Sequence, residues 1–333
     1  MLSPLTGKEM QLLVRPSTVI IRREPFPVMY HIWHCADTGE EFEDEPQVEL
    51  NIRQAEDQYR NKYNLPFPEE IRAIREQYGI SAAKMSEVLR FGINQYKQYE
   101  HGELPSESNA SLIFLARHPQ GFCQLIELSS LSLEEKKLLF EKAEAALEKK
   151  ADWRREEWTT EMLMGSLRPD VERGFKQPDL KKFGGMVQFF AQCVAPYKTQ
   201  LNKLLFYADF LHFKRHRRSI SGTKYRAIDM GPVPNNFDGL FQYAENEKFV
   251  RVVHHEFPNG SIGTRFSPGE VSMPVDFFSK EEIDTLQTVH ERFKNTNGVE
   301  IIQISHAETA WEKNVASRSI INYLDAYILK AIT

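Results

Sequence analysis

The first half of the chain carries a run of polar side chains that could read DNA bases. The run lies at the start of a predicted short helix and consists of Asn94, Gln95, Lys97 and Gln98. Asn and Gln amides can pair bidentately with adenine, whereas Lys suits guanine or phosphate. The apolar scaffold beneath them is supplied by Met85, Leu89, Tyr96 and Tyr99. A scaffold helix, a tight turn and a second helix with polar residues near its start predict a helix–turn–helix that enters the major groove.

A second set of reactive residues lies near the N-terminus, where His31, His34 and Cys35 could bind a metal ion. His34 and Cys35 are adjacent on a predicted strand, so their side chains point to opposite faces. A tetrahedral zinc site needs four Cys, His or carboxylate ligands. We therefore expect no metal and no cofactor.

Composition limits the classes of protein that this chain can be. It has 333 residues, of which 41% are hydrophobic and 27% charged, so global disorder is excluded. The net charge of −5 argues against general coating of nucleic acid or anionic membrane. Three cysteines indicate a reducing compartment, and neither a signal peptide nor a membrane-spanning run is recognised. We expect a cytoplasmic protein without membrane anchoring.

The elements that must position these residues fall into four predicted segments. Residues 1–60 contain β-branched and aromatic runs at 14–23 and 28–35, separated by Pro25 and Pro27, and predict a β-rich unit. Residues 66–130 predict a bundle of short helices. Residues 131–178 predict a charged helical arm, which opens with a capping box at Ser132 and Glu135 and ends in a Gly- and Pro-containing linker at 165–178.

The fourth segment, residues 179–333, predicts helices and a hairpin around Asn259-Gly260. It contains no H-E-x-x-H, G-x-S-x-G, P-loop or C-x-x-C motif, so we do not expect an enzyme. A basic cluster at 214–218 offsets the dipole of a helix end or, alternatively, docks an acidic or nucleic-acid partner. The predicted fold class is mainly α with small β elements, with an α+β C-terminal domain.

The segment from Ser81 to Gly102 resembles the Xre/Cro-type helix–turn–helix, and more closely its variant in MqsA-like antitoxins. That variant has a glycine-containing turn, an Asn and a Tyr-x-x-Tyr-Glu-x-Gly pattern, found here at 91–94 and 96–102. The resemblance implies base contacts by Asn94 and Gln98. Residues 3–7 and 35–39 resemble the two knuckles of the zinc ribbon that precedes such domains, with Cys35 the one thiolate remaining.

Several pieces of the C-terminal segment resemble the SocA-like Panacea antitoxin domain. They are Asn202-Lys203-Leu204-Leu205-Phe206-Tyr207-Ala208-Asp209, Tyr225, Gly231-Pro232-Val233, Ser305-His306, Glu308 and Trp311. The resemblance implies a domain that neutralises a toxin protein by direct binding. The residues matching family positions, and hence candidates for toxin binding, are Tyr207, Asp209, Tyr225 and His306. Each of them could instead hold the domain together.

The leading hypothesis is therefore an antitoxin of a bacterial type II toxin–antitoxin system. Its C-terminal domain would bind the cognate toxin, and its helix–turn–helix would bind operator DNA and regulate its own operon. Between Glu69 and Arg117 the chain has six Lys/Arg and seven Glu, a net charge of −1, which favours either a homodimer on a palindrome or a site that has lost DNA binding. The alternative is a stand-alone DNA-binding regulator whose C-terminal domain senses a ligand or dimerises.

Overall fold

The computed structural model describes residues 1–149, 153–257, 260, 262–271 and 273–332. Helices make up most of its regular structure, and the strands form small sheets, which confirms the predicted fold class. The chain folds into two compact units. The larger unit comprises Met1–Ser17, Val28–Val48 and Trp158–Thr333, and the helical unit comprises Thr18–Pro27 and Glu49–Glu157. The boundaries of these two units do not coincide with the boundaries of the four predicted segments.

The N-terminal sheet has the order β1 (Gln11–Ile21), β2 (Glu24–His34) and β3 (Glu41–Phe42). Arg22 and Arg23, both with positive φ, form the turn between β1 and β2. Pro25 and Pro27 lie inside β2 and do not separate the strands, contrary to the sequence interpretation. The sequence does not reveal this turn, because two arginines in left-handed conformations carry no Gly or Asn signal.

Residues 45–63, most of which the sequence assigned to the β-rich unit, form helix α1 (Glu45–Tyr63). The assignment of 1–60 as strands is therefore wrong over this stretch. The buried positions of α1 are largely polar and include Asn51, Gln54, Asp57 and Arg60. A helix whose buried face is polar lacks the apolar 3.6-residue period by which helices are recognised.

The helical unit continues with short helices that share one apolar core. They are α2 (Pro68–Glu76), α3 (Ala82–Val88), α4 (Gln95–Glu100), α5 (Glu107–Ala116), α6 (Pro119–Leu128) and α7 (Leu133–Lys149). The capping box predicted at the start of α7 is present, with Ser132 and Glu135 bonded reciprocally at 3.0 and 3.3 Å. Leu139, Ala143 and Ala146 of α7 are buried in the same core as α2–α6. The predicted arm is thus packed into the bundle up to this point.

The larger unit is built around a long buried helix. Its elements are the C-terminal part of α8 (Trp153–Met164), α9 (Leu180–Val194), α10 (Lys198–His216), β4 (Tyr225–Ile228), β5 (Gly231–Pro234), α11 (Phe237–Asn246), β6 (Val250–Glu256), β7 (Ile262–Pro268), α12 (Lys280–Phe293), α13 (Gly298–His306) and α14 (Thr309–Glu312). Residues 201–213 of α10 are buried throughout. The pairs β4–β5 and β6–β7 are antiparallel hairpins. Asn259, predicted in the β6–β7 turn, lies outside the described residues.

The stretch 165–178, interpreted from sequence as a linker, is packed into the larger unit. Arg173 is 1% exposed and donates to the carbonyl of Met164 at 2.5 Å and to that of Gly222 at 3.0 Å. Phe175 is also buried. The linker interpretation is therefore wrong for this stretch. Gly and Pro content reports local backbone conformation and does not show that the Arg173 side chain is buried.

Candidate functional site

The pair α3–α4 is fixed by buried hydrogen bonds within the helical unit. Ser81 caps α3 by accepting from the backbone N of Lys84 at 3.1 Å. The buried hydroxyl of Ser86 accepts from the backbone N of Tyr96 at 3.1 Å and so joins α3 to α4. The phenol of Tyr96 donates to the carbonyl of Ile71 in α2 at 2.7 Å. These contacts hold α4 in one orientation on its scaffold.

Asn94, Lys97 and Gln98 are exposed at the start of α4. Their spacing of i, i+3 and i+4 places them on one face, which we call the α4 surface. Gln95 is half-buried, and its amide donates to the carboxylate of Glu103 at 3.1 Å, so it lies apart from this face. Asn94 has φ +69°, a left-handed conformation that Asn adopts more readily than most residues.

Two neighbours of the α4 surface were not singled out from the sequence. Arg90 is exposed in the turn after α3, and Ile93 is 90% exposed immediately before Asn94. Within the described part of the chain, neither Arg90 nor Lys97 forms an ion pair. The exposure of this isoleucine could not be read from its sequence position, because Ile is among the residue types that are most often fully buried.

Three acidic residues between Glu69 and Arg117 form ion pairs with cations of the same segment. Glu100 is 7% exposed and accepts from Arg75 of α2 at 2.6 Å. Glu70 pairs with Arg117 at 2.8 Å, and Glu87 with Lys84. Each pair uses one cation as well as one acid, so pairing leaves the net charge of −1 unchanged, and Arg90 and Lys97 are the exposed cations next to Asn94 and Gln98.

Helix α1 holds the C-terminal end of α4, a contact that the sequence did not predict. Arg53 donates to the carbonyls of His101 at 3.1 Å and Gly102 at 2.9 Å. Arg60, which is 1% exposed, donates to the same Gly102 carbonyl at 2.6 Å. Cations at this end offset the negative end of the helix dipole.

Asp209 lies at the centre of a buried polar network in the larger unit. Its Oδ1 accepts from the backbone N of Ile220 at 2.8 Å and of Ser221 at 2.9 Å. Its Oδ2 accepts from the hydroxyl of Ser221 at 2.6 Å and the phenol of Tyr225 at 2.8 Å. Burial raises the pKa of Asp209, and these four donors oppose that shift. The carboxyl joins α10 to the chain entering β4.

Tyr207 takes part in a second buried contact. Its phenol donates to the carboxylate of Glu308 at 3.3 Å, and its ring stacks on Phe293 at 4.6 Å. Tyr207, Asp209 and Tyr225 each have 0% exposure. A partner protein cannot touch these side chains in this fold, so the implied toxin contacts are corrected: the three residues hold the domain together.

His306, the fourth of these residues, is half-buried and stacks on Trp311 at 3.9 Å with an angle of 9° between the rings. The indole of Trp311 donates to the carbonyl of Ile228 at 2.8 Å. Burial lowers the pKa of His306, Lys203 lowers it further, and the backbone of Asp229 opposes the shift. His306 thus lies beneath the end of the β4–β5 hairpin.

Lys203 supports the same hairpin from α10. It is 1% exposed, and burial alone lowers its pKa to about 7. A methyl group at Gly231, which has φ +94°, would lie 2.5 Å from Oγ of Ser305 and 2.7 Å from Cε of Lys203. Only glycine fits this close approach. The two residues of the turn above, Asp229 and Met230, are exposed, and we call them the hairpin tip.

The two knuckle-like turns of the N-terminal segment have the same hydrogen bonds. Gly7 N donates to Ser3 O at 2.9 Å and Gly39 N to Cys35 O at 2.8 Å, and both glycines have positive φ. Hydrogen bonds from Ser3, Thr38 and Thr6 lower the pKa of Cys35 to about 6. Three hydroxyls and one thiol do not fit Zn²⁺. Among the described residues, no group of three or more His, Cys, Asp or Glu is placed to hold a metal ion.

The basic cluster at 214–218 lies at the C-terminal end of α10, where Arg217 has the left-handed conformation of a helix cap. Arg215 pairs with Asp284 of α12 at 3.1 Å. In the chain segments that the structure describes, no helix is long and apolar enough to cross a membrane.

The geometry of the larger unit defines an α+β domain whose motif residues hold its interior and support one exposed hairpin tip. Residues 201–312 of this unit match the family model of the antitoxin SocA-like, Panacea domain. The matched range contains Lys203, Asp209, Gly231 and His306. No curated protein and no solved structure matches the chain. Residues 201–312 are thus similar to an antitoxin domain.

Proposed function

We propose that this protein is an antitoxin that neutralises a cognate toxin protein by direct binding through its larger unit. The observation that carries this proposal is the family match over residues 201–312 together with the complete internal network of that match. Neutralisation is steric: the domain covers the active or membrane-acting surface of the toxin, and no covalent bond changes. The protein acts in the cytoplasm.

We assign the toxin contact to the hairpin tip. Lys203, Ser305, His306 and Trp311 all lie beneath the tip, and burying an amine whose pKa falls to about 7 costs stability. Preorganised binding sites are typically held in place by buried side chains of this kind, even where their burial lowers the stability of the fold. Met230 is 51% exposed, and its unbranched side chain suits an apolar pocket on another protein. Asp229, paired with Arg318 at 2.7 Å, supplies a polar rim.

The test starts from the protein encoded next to this chain. We expect it to be toxic when expressed alone, to co-purify with the full chain at fixed stoichiometry and to be neutralised by it. Met230→Asp should weaken binding by about 100-fold, the loss typical of a central interface residue. Val275→Asp is the matched control, because Val275 is 98% exposed in the same unit. Equal losses in both variants would contradict the assignment to the tip.

We further propose that the α4 surface binds operator DNA and that the protein regulates its own operon as a homodimer. The exposure of Asn94, Lys97 and Gln98 on one face supports this, as do the cations of Arg90 and Lys97. Gln95, bonded to Glu103, supports the turn and lies outside the contact. DNA binding that falls steeply with salt and is lost in Asn94→Ala/Gln98→Ala, with neutralisation kept, is the expected result.

The second candidate function is a regulator without a toxin partner. The α4 surface favours it as much as it favours the antitoxin, because DNA binding is common to both. Recovery of the chain alone from its host, while it still shifts its own promoter fragment, would decide for the regulator.

A further inference from the structure

The position of Ile93 is the starting point for an inference about which bases the protein reads. Ile93 is 90% exposed in the turn between α3 and α4, while the apolar residues around it in sequence, Phe91 and Tyr96, are half-buried and buried. It therefore adds nothing to the core of the helical unit. An apolar side chain of this size gains from leaving water whenever a suitable surface covers it.

The charges around Ile93 indicate what kind of surface covers it. Arg90 precedes it at the end of α3 and Lys97 follows it on α4; both are exposed, and neither is held in an ion pair within the residues that the structure describes. Glu87, the nearest acid before Arg90, is paired with Lys84. Exposed cations that precede and follow an apolar residue in the chain suit contacts to phosphates beside a base edge.

In the major groove, one base carries an apolar group at its edge, the 5-methyl of thymine. Asn94 is next to Ile93 and suits the N6 and N7 groups of adenine, so the two side chains can read neighbouring positions of A·T-containing sequence. We infer that Ile93 is a specificity-determining residue that contacts a thymine methyl group beside the base read by Asn94. This inference depends on the proposed DNA binding by the α4 surface.

The test removes only the methyl group. Binding sites are first selected from random duplexes with the full-length protein, and each thymine of the selected site is then replaced by uracil. We expect the loss of one methyl to weaken binding by about 3- to 10-fold at one position in each half-site. Ile93→Ala should weaken binding to the thymine duplex by a similar factor and should bind thymine and uracil duplexes equally.

Leu128→Ala is the matched control, since Leu128 is 65% exposed in the same unit and lies at the end of α6. It should keep the full preference for thymine. The inference is overturned if Ile93→Ala retains that preference, or if the variant shifts the chain from dimer to monomer in size-exclusion chromatography, which would make Ile93 a contact between copies. If the wild type binds no duplex, the DNA-binding proposal fails as well; binding without sensitivity to uracil defeats this inference alone.

Discussion

Polar motif residues of the larger unit and of the α4 surface differ in where their side chains lie. Tyr207, Asp209 and Tyr225 are fully buried and bonded within the interior of the unit, whereas Asn94 and Gln98 are exposed. Both sets stand out in the sequence as polar residues within apolar patterns. The difference teaches that a family motif can mark the residues that build a domain, while the contact surface lies on the neighbouring residues that they support. Changes in the first set should affect folding, and changes in the second should affect binding.

The largest expected effect is that of Asp209→Ala. The change leaves three buried donors without an acceptor, two backbone N–H groups and the phenol of Tyr225, while the hydroxyl of Ser221 can still donate to Thr223. The larger unit should lose roughly 4 kcal/mol of stability, since each buried unsatisfied group costs about 1–3 kcal/mol and part of the loss is relieved by relaxation. Hydrogen exchange of the amides of α10 measures the local free energy of unfolding.

Asp209→Asn serves as the control for this prediction. Its amide oxygen can still accept from Ile220 and Ser221, so the loss should be less than half as large. A destabilisation below about 1 kcal/mol in Asp209→Ala would show that Asp209 does not hold the domain together.

Lys203 makes the stability of the larger unit depend on pH. Its pKa is about 7 in the fold and 10.5 as the ordinary value, so between these values the unfolded chain binds one more proton than the folded chain. Raising the pH in this window therefore stabilises the fold by about 1.4 kcal/mol per pH unit. Lys203→Met lacks this dependence. The free energy of unfolding of Lys203→Met, measured with urea and taken relative to that of the wild type, should fall by about 3 kcal/mol from pH 7.5 to 9.5. A constant difference between the two proteins would be inconsistent with a neutral amine at high pH.

In the helical unit the matching experiment removes a buried charge. Glu100→Ala leaves the guanidinium of Arg75 without its carboxylate at 2.6 Å. We expect a loss of about 2 kcal/mol, less than for a fully buried pair, because Arg75 is partly exposed. Glu87→Ala removes the exposed pair with Lys84 and should cost less than about 0.5 kcal/mol. Hydrogen exchange of the α2 amides measures the loss of stability in both variants. Equal losses would mean that burial does not determine how much the Glu100–Arg75 pair stabilises the unit.

The sequence predicted those elements whose signals are local. The capping box at Ser132 and Glu135 is present, because it is decided by residues within one turn. Helix α1 could not be predicted since its buried face is polar and is paired with the end of α4. Burial of Tyr207 and Asp209 and exposure of Ile93 depend on tertiary packing, which no local pattern reports.

The smallest expected effect on stability is that of Gln98→Ala, the change that separates binding from folding most cleanly. Gln98 is exposed on α4, and Ala is a good helix former, so the stability of the helical unit should change by less than about 0.5 kcal/mol. Affinity for the selected duplex should nevertheless fall by about 10-fold or more, because a bidentate contact to a base contributes about 1–3 kcal/mol of discrimination. Fluorescence anisotropy at fixed salt measures this loss.

The comparison with Asp209→Ala then gives the Gln98 result its meaning. Gln98→Ala should neutralise the toxin as well as the wild type does, whereas Asp209→Ala should lose neutralisation and retain DNA binding. Gln77→Ala is a control from the same unit: its amide is bonded to the carbonyls of Ala116 and Arg117, away from α4, so it should leave affinity for DNA unchanged. If Gln98→Ala bound every duplex as tightly as the wild type, the base contact would have to be moved from Gln98 to another residue of the α4 surface.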